Sequence, residues 1–178
     1  MTTMEAIRAR RSYRGKYLST PVPREHLKQI LEAGIAAPSG CNKQTTSFIA
    51  VDDPEVLAKL HGVIDPPLGE TAPAMICVLT RPIVAYRDRI FNVQDYSAAI
   101  ENMLLMIADL GYASCWVEGN ITGSDQIGAK MAQLLGVPEH LELICYLPVG
   151  IPAGDFPPLR KRPFEMRCWL NGFEKTFE

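Results

Sequence analysis

Residues 96–117 read YSAAIENMLLMIADLGYASCWV, and this stretch decides the fold. Tyr96, Ile100, Met103, Leu104, Ile107 and Leu110 trace one face of a long helix, and Gly111 is placed as its C-cap. The next residues, Ala113 to Val117, form a short apolar run that predicts a strand. The helix is apolar enough to sit centrally, so the fold must layer helices on a sheet. Working toward the N-terminus, Ala74 to Thr80 and Phe48 to Val51 read as further buried strands, and Asp53-Pro54 supplies N-cap and N1 of a helix carrying Val56, Leu57 and Leu60. From Pro23, Leu27, Ile30, Leu31 and Ile35 recur at helical spacing until Pro38 and Gly40 close the element. Thr2 and Glu5 have capping-box spacing for a first helix ending near Arg10 to Arg14.

Toward the C-terminus, Ser124 is placed to cap a helix through Ile127, Met131, Leu134 and Leu135, Gly136 stops it, and Leu141 to Val149 is a fourth strand. Arg81 to Asp95 reads as a polar connection. This alternation implies an α/β or α+β sheet covered by helices. Residues 151–163 hold four prolines and the basic run Arg160-Lys161-Arg162, so the arm should be extended. Beyond it Phe164, Trp169, Leu170, Phe173 and Phe177 are too apolar for a free tail, which must cover another subunit or fold back on its own chain.

The 178 residues suit one domain, and 47% hydrophobic with 21% charged residues excludes a disordered or fibrous chain. A formal charge of -2 disfavours a general nucleic-acid binder, so any anion site must be local. Cysteines at 41, 77, 115, 145 and 168 show no C-x-x-C spacing and sit mostly in apolar runs, which points away from a zinc site or disulfide framework and toward a cytoplasmic protein. The basic first dozen residues have no apolar stretch behind them, so neither a secretory signal nor a membrane span is expected.

Three clusters could carry chemistry. Arg10-Arg11-Ser12-Tyr13-Arg14 offers planar bidentate donors and a hydroxyl suited to phosphate, or else cations resting at a helix C-terminus. Arg160 and Arg162 either add to such a site or lie on a solvated arm. The loop Ala37-Pro38-Ser39-Gly40-Cys41-Asn42-Lys43-Gln44 carries hydroxyl and amide groups able to bond a heterocycle, or is simply a turn.

Taken in order, Arg10 to Arg14, Ala37-Pro38-Ser39 with Asn42 and Gln44, Glu101-Asn102, Leu110-Gly111-Tyr112, Cys115-Trp116, Glu118-Gly119 and Pro148-Val149-Gly150 resemble the FMN-dependent nitroreductase family over nearly the whole chain. The resemblance implies an α+β helix/sheet sandwich with a central mixed sheet of about four to five strands and an intertwined homodimer. Residues 1–163 would form the FMN-binding domain, and residues 164–178 an extension packing on the partner subunit. Arg10, Arg11, Ser12 and Arg14 would hold the flavin, with Arg160 and Arg162 on its phosphate. Pro38, Ser39, Gly40 and Asn42 would reach it from the partner, and the backbone of Glu118 and Gly119 would lie near N5. NADH or NADPH would deliver hydride through N5 to a small-molecule acceptor such as a nitroaromatic or quinone, in a ping-pong sequence that needs no catalytic side chain. A redox sensor or store, a dehalogenase or a flavin-cleaving relative are the alternatives. The chain departs from the family at Gln44-Thr45-Thr46, where many members read Gln-Pro-Trp, and in the short Arg81 to Asp95 segment.

Overall fold

The computed structural model describes residues 1–119, 121–156 and 160–177. Its elements are α1 (Thr3–Ala9), α2 (Arg24–Ile35), β1 (Thr46–Val51), α3 (Pro54–His61), β2 (Ala74–Thr80), β3 (Val84–Tyr86), β4 (Arg89–Ile90), α4 (Asn92–Asp109), α5 (Ile127–Leu134) and β5 (Glu142–Val149). Single helical turns lie at Gly40–Asn42 and Phe164–Met166.

The local signals act as expected at three helix ends. Thr2 and Glu5 close a reciprocal capping box on α1, and Asp53 Oδ1 accepts from the N–H groups of Glu55 and Val56 at 2.8 and 3.1 Å. Gly111, at φ 83°, ends α4 in the left-handed conformation that costs glycine least.

The central ladder has the order β1-β2-β5 and is antiparallel throughout. Strand β2 is buried along its whole length, and its alternation assigns each side chain to a layer. Ala74, Ile76 and Val78 face a core built with Leu27 and Ile30 of α2 and Ile100, Met103 and Ile107 of α4. Met75, Cys77 and Leu79 face the opposite core, with Leu57 and Leu60 of α3 and Ile127 and Met131 of α5. This is a helix/sheet sandwich of the α+β class.

The run Ala113 to Val117 does not form a continuous strand. It touches the sheet through isolated bridges, Ala113 to Gly150 and Val117 to Tyr146, while Ser114 pairs in parallel with Ser12. Its bridges go to two stretches, antiparallel to Tyr146 and Gly150 on β5 and its end and parallel to Ser12, so it flanks a ladder of three antiparallel strands and the sheet is mostly antiparallel rather than evenly mixed. Two other expectations are corrected. The α5 N-cap is Gln126 at φ 52°, not Ser124, and no side chain caps that end. The connection from Arg81 contains the β3–β4 hairpin, turned at Arg87 and Asp88 with φ 49° and 58°.

The tail pairs aromatic rings within itself, Phe164 with Phe177 at 5.1 Å and Trp169 with Phe173 at 4.4 Å. Phe164, Met166, Leu170, Phe173 and Phe177 are nonetheless exposed. Among the described residues, no helix is long and apolar enough to cross a membrane.

Candidate functional site

As α1 ends at Arg10 the chain becomes extended, and alternation then sorts its side chains. Tyr13 turns inward and is buried. Its backbone N–H bonds to Ser114 O at 2.8 Å, its hydroxyl donates to Lys16 O at 2.7 Å, and that hydroxyl accepts from Gly154 N–H at 3.1 Å. The ring meets Tyr17 edge-on at 5.1 Å and Phe156 at 5.3 Å. With Tyr13 anchored, Ser12 and Arg14 line a cavity of about 570 Å³ together with Gly15, Lys16 and Ala153 to Asp155. Both approach Cys115, whose thiol burial pushes up while Arg14 and Ser12 partly pull it back.

Arg10 and Arg11 flank an adjoining recess with Ser114, Tyr112 and Phe156. The Arg10 Nε lies 3.6 Å from Glu101 Oε1, too far for a hydrogen bond. That Nε and Ser114 Oγ are both buried without a hydrogen-bond partner among the described residues. Buried donors left unpaired are costly, and with about 20 Å³ of room the recess itself suits a water rather than a phosphate. The open cavity offers Ser12, Arg14 and Lys16, donors of a kind that suits a phosphorylated ligand, with Arg10 and Ser114 in the recess beside it.

A second cavity, of about 340 Å³, is lined by Pro38, Ser39, Gln44, Thr45, Thr46, Phe48, Asp95 and Ala99 among others. Here Asp95 Oδ1 accepts from Gly40 N–H and Oδ2 from the Thr45 hydroxyl, each at 2.7 Å, while Gln44 N–H donates to Ser39 Oγ at 3.0 Å. Asn42 follows with φ 54° and is exposed. Thr45, the middle residue of Gln44-Thr45-Thr46, is thus used as a hydroxyl donor. Asp95 escapes a sequence reading because an acidic residue in a helix's first turn is ordinary on electrostatic grounds alone.

Glu118 and Gly119 follow the Val117 bridge. The Glu118 carboxylate is occupied, accepting from Tyr96 Oη at 2.9 Å and Trp116 Nε1 at 2.8 Å, so its side chain braces α4 against this segment. Burial, followed by that bond to Glu118, pushes the Tyr96 phenol up to about 12. No neighbouring atom lies within 4 Å of where a Gly119 Cβ would stand, so the backbone there is open.

The structure therefore joins Arg10, Arg11, Ser12 and Arg14, and it holds Pro38, Ser39, Gly40 and Asn42 together elsewhere. Arg160 and Arg162 lie exposed on the arm, and among the described residues no contact joins them to Ser12 or Arg14. Helix α4 separates the two groups. Asp95 and Ala99 line the loop side, and Leu104, Ile107 and Ala108 the arginine side. At a 1.5 Å rise per residue, Asp95 stands about 9 Å along the helix from Glu101, which Arg10 approaches, and about 18 Å from Ile107.

Comparison with known proteins bears on this geometry. The model described as "Nitroreductase family" matches residues 7–65 and 64–151. A protein of Archaeoglobus fulgidus with the provisional name NADH dehydrogenase/NAD(P)H nitroreductase is 34% identical over 155 residues, covering 85% of this chain and 86% of its own. An FMN reductase [NAD(P)H] of Bacillus subtilis is 29% identical over 178 residues, covering 90% and 72%. The crystal structure of a nitroreductase with bound FMN from Bacteroides fragilis superposes with a TM-score of 0.78 at 27% identity, over 96% of this chain and all of that one.

Proposed function

The chain belongs to the nitroreductase family, and on that premise we propose that it is a flavin mononucleotide-dependent oxidoreductase using NADH or NADPH. The observation that carries this reading is the Arg10–Arg14 stretch, whose Ser12 and Arg14 line an open cavity beside a buried Arg10 Nε and Ser114 Oγ that have no hydrogen-bond partner among the described residues. Arg10, Ser12 and Ser114 would hold the phosphate, joined from the arm by Arg160 and Arg162, with Arg11 beside them. Arg14 would face the ring system, where a cation favours the reduced form. The segment of Glu118 and Gly119, with open space beside Gly119, would border the reacting edge. A bound flavin supplies the hydride-accepting centre, so no nucleophile or fixed general base is required of the protein.

The chain acts as a homodimer in this reading. Pro38 and Ser39 line a cavity separate from those lined by the arginine cluster, and with Gly40 and Asn42 they would serve the partner's cleft. The exposed apolar residues Met4, Ile7, Ile35 and Val93, with the tail, supply surface for that contact. An electron-poor small molecule, such as a nitroaromatic or a quinone, would be the acceptor.

No G-x-G-x-x-G fingerprint occurs in the chain, so donor and acceptor would share one opening in turn. The purified protein is expected to be yellow, to release FMN on denaturation, and to give parallel double-reciprocal plots at varied acceptor concentration. Intersecting plots would refute the shared opening, and failure to bind FMN would refute the reading as a whole.

A further inference from the structure

Asp95 stands in the first turn of α4 with 4% of its surface exposed, and its two carboxylate oxygens hold two ends of one loop. Gly40 N–H and the Thr45 hydroxyl, both neutral donors, bracket the stretch in which Cys41, Asn42 and Gln44 adopt φ of 49°, 54° and 49°. Left-handed backbone is unfavourable for residues with a Cβ, and three such residues in four persist only where their surroundings over-determine them. Phe91 adds a second restraint. A Cβ on Gly40 would lie 2.7 Å from Phe91 Cβ, so the loop backbone is pressed directly onto the residue that begins α4.

We propose that Asp95 is a positioning residue for the bound cofactor, holding the Pro38–Asn42 loop in the shape in which it meets the flavin. This rests on the reading of that loop as a flavin contact. The requirement on residue 95 is geometric. Asparagine can accept from Gly40 N–H through its oxygen and donate through its nitrogen to Thr45 Oγ, which has free lone pairs. Alanine can do neither. Comparing the two variants separates the shape of the clamp from its charge.

The test compares Asp95→Asn and Asp95→Ala in the full chain, with two readouts. Trypsin cleavage after Lys43, an exposed residue inside the clamped stretch, reports the loop without reference to any ligand. Titration with FMN, followed by flavin fluorescence and by visible circular dichroism of the bound ring, reports the consequence. The wild type and Asp95→Asn should behave alike. Asp95→Ala should be cut after Lys43 at least about tenfold faster and bind FMN at least about tenfold more weakly, since both hydrogen bonds of the clamp are lost. If Asp95→Ala does not fold, Thr45→Val and Gly40→Ala remove or displace one restraint at a time and should give smaller losses in both readouts. Unchanged cleavage in the alanine variant overturns the clamp. Faster cleavage with unaltered FMN affinity overturns the positioning role alone, as does an asparagine variant as weak as alanine. A wild type that binds no FMN overturns the flavin reading and this proposal with it.

Discussion

Substituting Arg10 in one copy of the chain and Gly40 in the other distinguishes two ways of building the cofactor site. If the Pro38–Asn42 loop serves its own chain's arginines, a mixed dimer has one defect in each site. If it serves the partner's, both defects fall in one site and the other is intact. The two groups line separate cavities, which favours the second arrangement. On the proposed reading Arg10→Ala would remove a charge-assisted contact to phosphate worth about 1.5–3 kcal/mol, or roughly 10- to 150-fold in affinity. In Gly40→Val the first added carbon would sit 2.7 Å from Phe91 Cβ and 2.8 Å from Phe91 Cδ2. Ordinary carbon contacts lie near 3.5–4 Å, so ring or loop must yield by about 1 Å. The two variants are co-expressed with different tags, the doubly tagged dimer is isolated, and flavin per chain is measured after desalting. Both parental homodimers should lose FMN, whereas the mixed dimer should keep one tightly held flavin per two chains. A mixed dimer as flavin-poor as its parents would refute the shared-site reasoning.

Two further outcomes follow from named residues. Both ring nitrogens of His61 are buried without a partner among the described residues, and burial holds its imidazole below the ordinary 6.5 against a smaller upward pull from Glu70. The unfolded chain therefore takes up that proton more readily, so stability is full above about pH 6.5 and falls as pH drops toward the folded value. His61→Leu should show a smaller loss of melting temperature between about pH 7 and pH 5.5 than the wild type, and equal slopes would count against it. Truncation after Pro163 removes Phe164, Trp169, Leu170, Phe173 and Phe177. It should shift sedimentation from dimer toward monomer and lower FMN content, an expectation that a flavin-loaded truncated dimer would defeat.

Where a signal is local, the sequence is a good guide to this fold. The Thr2–Glu5 box, the Asp53-Pro54 start, the Ala74 to Thr80 strand and the Gly111 stop are each legible because neighbouring residues satisfy one another's requirements. What depends on distant chain is not. Ala113 to Val117 has the composition of a strand but divides its bonds among Ser12, Tyr146 and Gly150. Nothing within the run announces that division. The β3–β4 hairpin turns on Arg87 and Asp88 without the glycine or asparagine that usually marks such a turn. In the site, the arginine cluster stands out in the sequence by its charge. Asp95 and Tyr96 acquire their roles only when folding brings Gly40, Thr45 and Glu118 against the start of α4.

Helix α4 links stability to site geometry through a single element. Ile100, Met103 and Ile107 bury its apolar stripe against β2 and α2, Asp95 and Tyr96 fix the loop and the Glu118 segment at one end, and Glu101 approaches Arg10 further along. Each residue of an α-helix advances about 100° around the axis and 1.5 Å along it. Deleting one residue between Asp95 and Ile107 would therefore shorten the spacing of the two groups by only about 1.5 Å, but it would swing one end's side chains by about 100°. Either the apolar stripe would leave the core or Asp95 would leave the loop. The spacing between loop and arginines is thus held by the same packing that holds the domain together.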